Sequence, residues 1–279
     1  MIALLMGSTL VVRRRFDPQL TLESLAEHRV KTLVVVPIML SRILDRTPSD
    51  YDLSALRIIF VAGSQLGAEL CARALQEFGP VIYNLYGSTE VAYASVATPD
   101  DLAEEPACVG RVVRGAVVKI FDDDGHELPT GATGRIFVGN SAQFEGYTGG
   151  GTKETIHGLM SSGDLGHFDS AGRLFVDGRD DDMIVSGGEN VFPGEVEDML
   201  TAHPDIVDAA VIGVPDDDYG QRLRSFVVVR PGATVSEQDV KDYIRGRLAR
   251  FKVPRDVMFV DEVPRNPTGK VVKRLLDGQ

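Results

Sequence analysis

Four polar clusters follow one another along the chain, each behind an apolar, strand-like run. They are Tyr86-Gly87-Ser88-Thr89-Glu90, Ser162-Gly163-Asp164, Gly178-Arg179-Asp180-Asp181-Asp182 leading to Ser186-Gly187-Gly188, and Pro267-Thr268-Gly269-Lys270. In the first, Gly87 lets the backbone turn and approach a ligand closely. Ser88 and Thr89 offer hydroxyls, Glu90 a hard oxygen suited to magnesium, and Tyr86 an aromatic face for a base. In the second, an ionised Asp164 beside Gly163 can accept hydrogen bonds from two vicinal hydroxyls, as a ribose presents. Arg179 adds an obligate cation whose fork fits phosphate or ribose oxygens. Lys270 stands on a turn ordered by two prolines and a glycine, before a short basic end. Two carboxylates, an arginine and a late lysine together suit a nucleotide, its metal ion and a reaction at phosphate.

Each cluster also has a plainer reading: a strand-to-helix turn with an N-cap, an Asp-turn, an ordinary salt bridge, a surface turn. The lysine turn is not a Walker-type loop, because residue 264 is Pro where Gly is required and residue 271 is Val rather than Ser or Thr. Gly149-Gly150-Gly151-Thr152-Lys153 fails the same test and reads as a flexible surface loop. No Ser sits at the centre of a Gly-x-Ser-x-Gly elbow. His28, His126, His157, His167 and His203 are scattered, with no metal-binding pair at helical spacing.

The elements that must position these clusters have three textures. From Leu20 to Tyr86, apolar strands (31–36, 56–62, 81–86) alternate with helical spacing (21–28, 38–45, 67–78), which predicts a parallel sheet covered on both faces. Ligands bind beyond the carboxyl ends of such strands, where Gly63-Ser64-Gln65 and Gly87 to Glu90 fall. From Val109, short strands (116–121, 134–138, 174–176) separated by turns predict an antiparallel sheet or small barrel. After Arg179, a hairpin-like 183–192, helices at 193–201 and 236–248, and strands at 207–214, 225–229 and 257–260 predict an α+β unit. The polar stretch Gly178–Asp182 is suited to a linker.

At 279 residues the chain has room for two domains, and 43% hydrophobic with 25% charged residues is a globular composition. A net charge of −12 argues against a nucleic-acid partner. Arg13-Arg14-Arg15 reads as a solvated loop. Cys71 and Cys108 provide neither a disulfide framework nor zinc spacing, which fits a reduced, cytoplasmic setting. The apolar stretch Met1–Val12 is too short for a transmembrane segment and has its charge on the wrong side for a secretory signal. It reads as a buried helix end and strand.

In this order and context the clusters resemble the successive core motifs of the adenylate-forming superfamily of acyl-CoA synthetases, nonribosomal-peptide adenylation domains and firefly luciferase. The resemblance runs essentially the whole chain, through Phe16-Asp17-Pro18, Val109-Gly110-Arg111 and Gly146-Tyr147. It implies that Gly63, Ser64 and Gln65 line the adenine, that Tyr86 stacks on it and that Gly87 borders the nucleotide. Thr89 would contact the α-phosphate, Glu90 would hold Mg2+, Asp164 would bind the ribose hydroxyls and Arg179 the ribose and phosphate side. Asp181 matches the family's hinge, Gly187 the passage for the pantetheine thiol, and Lys270 the mobile lysine of adenylation. Val36 and Pro37 would border the acid pocket. Lys270, Glu90 and Thr89 are the implied catalytic residues, with ATP or AMP, Mg2+ and coenzyme A as cofactors and co-substrate.

Family members are about twice as long, and the Ser/Thr/Gly-rich loop that wraps the β- and γ-phosphates has no counterpart here. The expectation is therefore the C-terminal half of a fatty acyl-CoA ligase-like enzyme. Residues 1–178 would complete a large AMP-binding domain (α/β to about 110, β-barrel from about 111), and 179–279 would form a mobile C-terminal domain. Its partners would be a carboxylic acid, with fatty acid favoured, ATP, CoA and a missing N-terminal half. A non-catalytic remnant, a nucleotide- or CoA-binding module, an aryl-CoA ligase and a peptide-synthetase adenylation domain remain as alternatives.

Overall fold

The computed structural model describes Leu5, residues 7–266 and residues 271–276. Lys270 and the rest of its Pro267–Lys270 turn lie outside the described residues. Among the described residues no helix is long and apolar enough to cross a membrane.

The first sheet has its strands in chain order. β1 (Thr32–Val35), β2 (Ile58–Val61) and β3 (Ile82–Tyr86) run parallel, with Val35 opposite Val61 and Val61 opposite Asn84. β4 (Ser95–Ala97) and β5 (Arg111–Val112) extend it antiparallel. Helices start where the sequence supplies a cap. Asp17 accepts from the Leu20 amide at 2.8 Å ahead of α1 (Pro18–Glu27), and α2 (Pro37–Leu44) has proline in its first turn. With α3 (Ala68–Phe78) and α4 (Pro99–Glu104) they bury Leu22, Leu40, Ile43, Ile59, Ile82 and Leu102 in one core. Cys71 and Cys108, both free, lie in the same core.

Two expectations fail at the N-terminal side. Residues 8–13 form no regular structure, and Leu10, Val11 and Val12 are exposed, Val12 at 80%. β1 is an edge strand with Val34 68% exposed, so its continuous apolar run is covered on only part of its surface. The physical reason is shared. A strand needs a neighbour to satisfy its backbone groups, and among the described residues none lies beyond β1.

The second sheet is antiparallel: β6 (Val117–Phe121), β7 (Gly134–Gly139), β9 (Leu159–Phe168) and β10 (Leu174–Arg179), in the order β10-β9-β7-β6, with β8 (Thr155–Ile156) on β9. β9 is a correction. Ser162-Gly163-Asp164, whose plainer reading is an Asp-turn, lies inside this ten-residue strand. Its small polar residues hide the apolar alternation, while the backbone pairing is supplied by β7 and β10. The core of this sheet takes in Val91 and Ala94 from the segment after β3, with Tyr86 packed against it. That shared packing brings the end of β3 up to β9.

The third sheet contains β11 (Ile184–Ser186), β12 (Glu189–Val191), β13 (Ile206–Asp216), β14 (Gly220–Val229) and β15 (Asp256–Phe259). β13 alternates with period two between two cores. Ala209 and Val211 face α5 (Pro193–Thr201) and α6 (Glu237–Arg245), which contribute Val196, Leu200, Val240 and Ile244. Ala210, Ile212 and Val214 face Val263 and Leu276 on the other side. α6 opens with a capping box between Ser236 and Asp239, and its Val240 and Ile244 are four apart on one face.

Candidate functional site

Three of the four clusters meet where the first two sheets join. The Tyr86 hydroxyl at the end of β3 donates to Oδ2 of Asp164 at 2.6 Å. Arg179, at the end of β10, approaches Oδ1 of the same carboxylate at 3.4 Å and donates through Nε to Asp181 at 3.0 Å. Arg179 and Asp164 are register partners across β10 and β9, so strand pairing alone sets them side by side. Asp164 is 13% exposed against 70% for Asp181. Burial pushes the Asp164 carboxyl above its ordinary value, opposed by the Tyr86 bond and by the charges of Arg179 and Lys153. The bond to Arg179 holds Asp181 below its ordinary value, against a smaller effect of burial.

A second group forms on the loop after β3. Glu90 accepts from the Ser88 hydroxyl at 2.9 Å and from the Tyr147 hydroxyl at 3.0 Å. The Phe144 amide donates to the Glu90 carbonyl at 2.9 Å, and the Phe144 and Tyr147 rings meet edge to face at 4.8 Å. Burial raises the Glu90 carboxyl, but the Ser88 and Tyr147 bonds, its own backbone amide and the Lys153 charge outweigh it and leave the group below its ordinary value. An ionised carboxylate flanked by hydroxyls is a hard-oxygen set that fits Mg2+, which takes one or two carboxylates and keeps its waters. Thr89 is exposed beside it. Gly87 packs its Cα against the Ala92 carbonyl, which leaves no room for a side chain.

The remaining candidates are spread more widely. Gly63 has φ +99°, and a Cβ there would lie 3.3 Å from Val36 Cγ1, so the two loops beyond β1 and β2 touch. Ser64 follows on the same loop, half-buried. The Gln65 side chain donates to Asp198 of α5 at 3.3 Å. Gly187 and Gly188, at φ +62° and +86°, form the turn between β11 and β12. Positive φ at both central positions is the hairpin geometry that favours glycine. The Gly187 amide donates to the Tyr219 carbonyl at 2.9 Å, and a Cβ would sit 2.8 Å from the Tyr219 ring. Asp181 lies in the 3₁₀ turn Asp180–Asp182 directly after β10, where Lys273 pairs with Asp182 at 3.0 Å.

Two residues of the site escape a reading of the motifs. Tyr147 holds Glu90, and its only signal is its place in Gly146-Tyr147. Lys153, in the stretch read as a surface loop, is half-buried and reaches the Ser162 carbonyl at 3.3 Å. Nothing in local spacing announces that contact, because it spans the return from β7 to β9.

Residues 1–148 match the AMP-binding enzyme family, and residues 195–270 match the AMP-binding enzyme C-terminal domain. The chain is 36% identical over 276 residues to an indoleacetate–CoA ligase of Aromatoleum aromaticum, covering 97% of this chain and 54% of that protein. It is 33% identical over 279 residues to the fatty acid–[acyl-carrier-protein] ligase ScoC of Streptomyces coeruleorubidus, covering 97% and 54%. It superposes on ATP-bound MatB of Rhodopseudomonas palustris with a TM-score of 0.90 at 31% identity, covering 99% of this chain and 55% of that one. On apo MatB the score is 0.74. The chain thus spans about half the length of the curated relatives it matches. In this chain the parallel sheet that leads to Tyr86 and Glu90 joins an antiparallel sheet carrying Asp164 and Arg179, and the chain belongs to the adenylate-forming superfamily of AMP-binding enzymes.

Proposed function

We propose that this chain forms the nucleotide-binding and domain-closing half of an ATP-dependent acid–CoA ligase. In the first half-reaction the acid's carboxylate attacks the α-phosphate of ATP, a P–O bond forms, and pyrophosphate leaves with the electron pair. In the second a thiol attacks the acyl carbonyl, forms the thioester and expels AMP. The single observation that carries this reading is the convergence of Tyr86 and Arg179 on the two oxygens of Asp164.

Asp164 accepts the ribose hydroxyls, since each carboxylate oxygen has a second lone pair beyond its present bond. Arg179 faces the ribose and phosphate side, and Tyr86 presents its ring to the adenine beside the Gly63–Gln65 loop. Thr89 stands next to the α-phosphate. Both reactants of the first step are anionic, so cations must concentrate where charge develops. Magnesium, when bound, supplies part of that charge, and Glu90 with Ser88 and Tyr147 is the set that would hold it. Lys270 supplies the rest from residues 179–279, a unit that turns at Asp181 and brings Gly187 to the thiol's path. The better fit to ATP-bound than to apo MatB supports a nucleotide-loaded arrangement of these parts.

For the acid, we favour a fatty acid over an aryl acid on the run Gly188-Glu189-Asn190-Val191-Phe192-Pro193. The ligase ScoC supports the first class by its name, and the indoleacetate ligase the second. Calorimetric titration of this chain with AMP tests the reading. Saturable binding is expected, weakened about ten-fold or more in Asp164→Ala, since a bond to a charged group is lost. Equal affinity in the two proteins would remove Asp164 from the site and with it the argument.

A further inference from the structure

The return from β7 to β9 brings a cation to the site that the reaction scheme above does not use. Lys153 is half-buried just ahead of β8, and its Nζ donates to the Ser162 carbonyl at 3.3 Å. Gly163 has φ +82°, and a Cβ built there would lie 3.1 Å from Lys153 Nζ, 3.3 Å from Arg179 Nη2 and 3.4 Å from Arg179 Nη1. Two cations from separate elements therefore converge over one bare glycine, next to Asp164.

Their charges are balanced differently. Arg179 is paired with Asp164 and Asp181. Lys153 has no carboxylate within ion-pair distance among the described residues, and its one polar contact there is a neutral carbonyl. Its charge nonetheless favours the ionised forms of Glu90, Asp164 and Asp181, although burial still leaves Asp164 above its ordinary value. Two like charges brought together repel one another. An anion that binds both relieves the repulsion, and a phosphate has the oxygens to do so.

We propose that Lys153 is a phosphate-binding residue of this site, taking the nucleotide's phosphate together with Arg179 over the open face of Gly163. The proposal rests on the nucleotide reading above and adds a residue to it. Lys153 lies just ahead of β8 and is anchored to β9 through the Ser162 carbonyl, so it stays with the phosphate whatever the position of Lys270. A fixed cation of this kind would hold the adenylate between the two half-reactions.

The test compares AMP with adenosine, which differ only by the phosphate, on this chain as it stands. Lys153→Met should weaken AMP about ten-fold, the loss of one charge-assisted bond, and leave adenosine within about two-fold. Lys153→Arg should retain most of the AMP affinity. Raising salt should weaken AMP binding to the wild type more than to Lys153→Met. An unchanged ratio of AMP to adenosine affinity in Lys153→Met would overturn the proposal, reducing Lys153 to a tie on the Ser162 carbonyl while the nucleotide site stands. Absence of adenosine binding to the wild type would instead overturn the site itself, and the Lys153 assignment with it.

Discussion

The Tyr86 hydroxyl lies 2.6 Å from Oδ2 of Asp164, joining the end of β3 to the middle of β9 across a separation of 78 residues. Burial raises the Tyr86 phenol well above its ordinary value, the neighbouring Asp164 charge adding to it, so the phenol keeps its proton and donates. The two sheets are thereby tied at the point where the nucleotide would sit.

Tyr86→Phe removes that donor and leaves a largely buried carboxylate short of one partner. Arg179 and Ser162 still serve Asp164, so the cost should be at the low end for an unsatisfied group, about 1–2 kcal/mol. Urea unfolding of the single variant, of Asp164→Asn and of the pair measures it. Additive effects in the double variant would mean that the contact contributes nothing to stability.

Glu197 predicts a pH dependence. Its carboxylate accepts from the Val211 amide at 2.7 Å, and burial pushes it from 4.5 up to about 7, the Val211 bond and the charge of Lys273 opposing. The raised value means that folding favours the protonated form. The stabilisation is complete below about 4.5 and disappears as pH rises through about 7. Its upper bound is about 3 kcal/mol, at about 1.4 kcal/mol per unit. Glu197→Gln keeps an acceptor for Val211 and cannot ionise. The variant's thermal midpoint should therefore exceed the wild type's at pH 8 and converge with it at pH 4.5. Parallel midpoint curves over that range would contradict the linkage.

Residues 181–279 should fold alone. Both cores of the third sheet are built from residues 184–276, with α5 and α6 on one face and Val263 and Leu276 on the other. Expressed separately, this piece should give dispersed amide resonances and a cooperative thermal transition. A collapsed spectrum without a transition would place the boundary elsewhere.

The two half-reactions should separate by mutation once the half of the fold that the relatives possess is supplied. Lys270→Ala should slow acyl-adenylate formation by about 10²–10³, the usual effect of losing a preorganised charge, and spare thioester formation from supplied adenylate. Gly187→Leu should do the reverse. Its side chain would meet the Tyr219 ring and abandon the positive φ that the β11–β12 turn requires. Equal slowing of both steps by Lys270→Ala would make the lysine structural.

Much of this protein was legible in its order of residues because the signals are local. Asp17 and Ser236-to-Asp239 announce helix starts through caps that lie within a turn of the residues they serve, and Pro37 does so by its place in a first turn. The apolar runs at β2 and β3 announce buried parallel strands, and their carboxyl ends announce where polar loops could meet a ligand. The motif series from Tyr86 to Arg179 points to nucleotide chemistry by residue type together with order and context. What local spacing does not carry is pairing between distant segments. Only β7 and β10 on either side make a strand of Ser162-Gly163-Asp164. Only the shared core of Val91, Ala94 and the second sheet brings Tyr86 to Asp164. For the same reason, apolar Leu10, Val11 and Val12 stay exposed. Burial is a property of neighbours, and neighbours are decided in three dimensions, which is also why Lys153 reads as loop in the chain and as a charge over Gly163 in the fold.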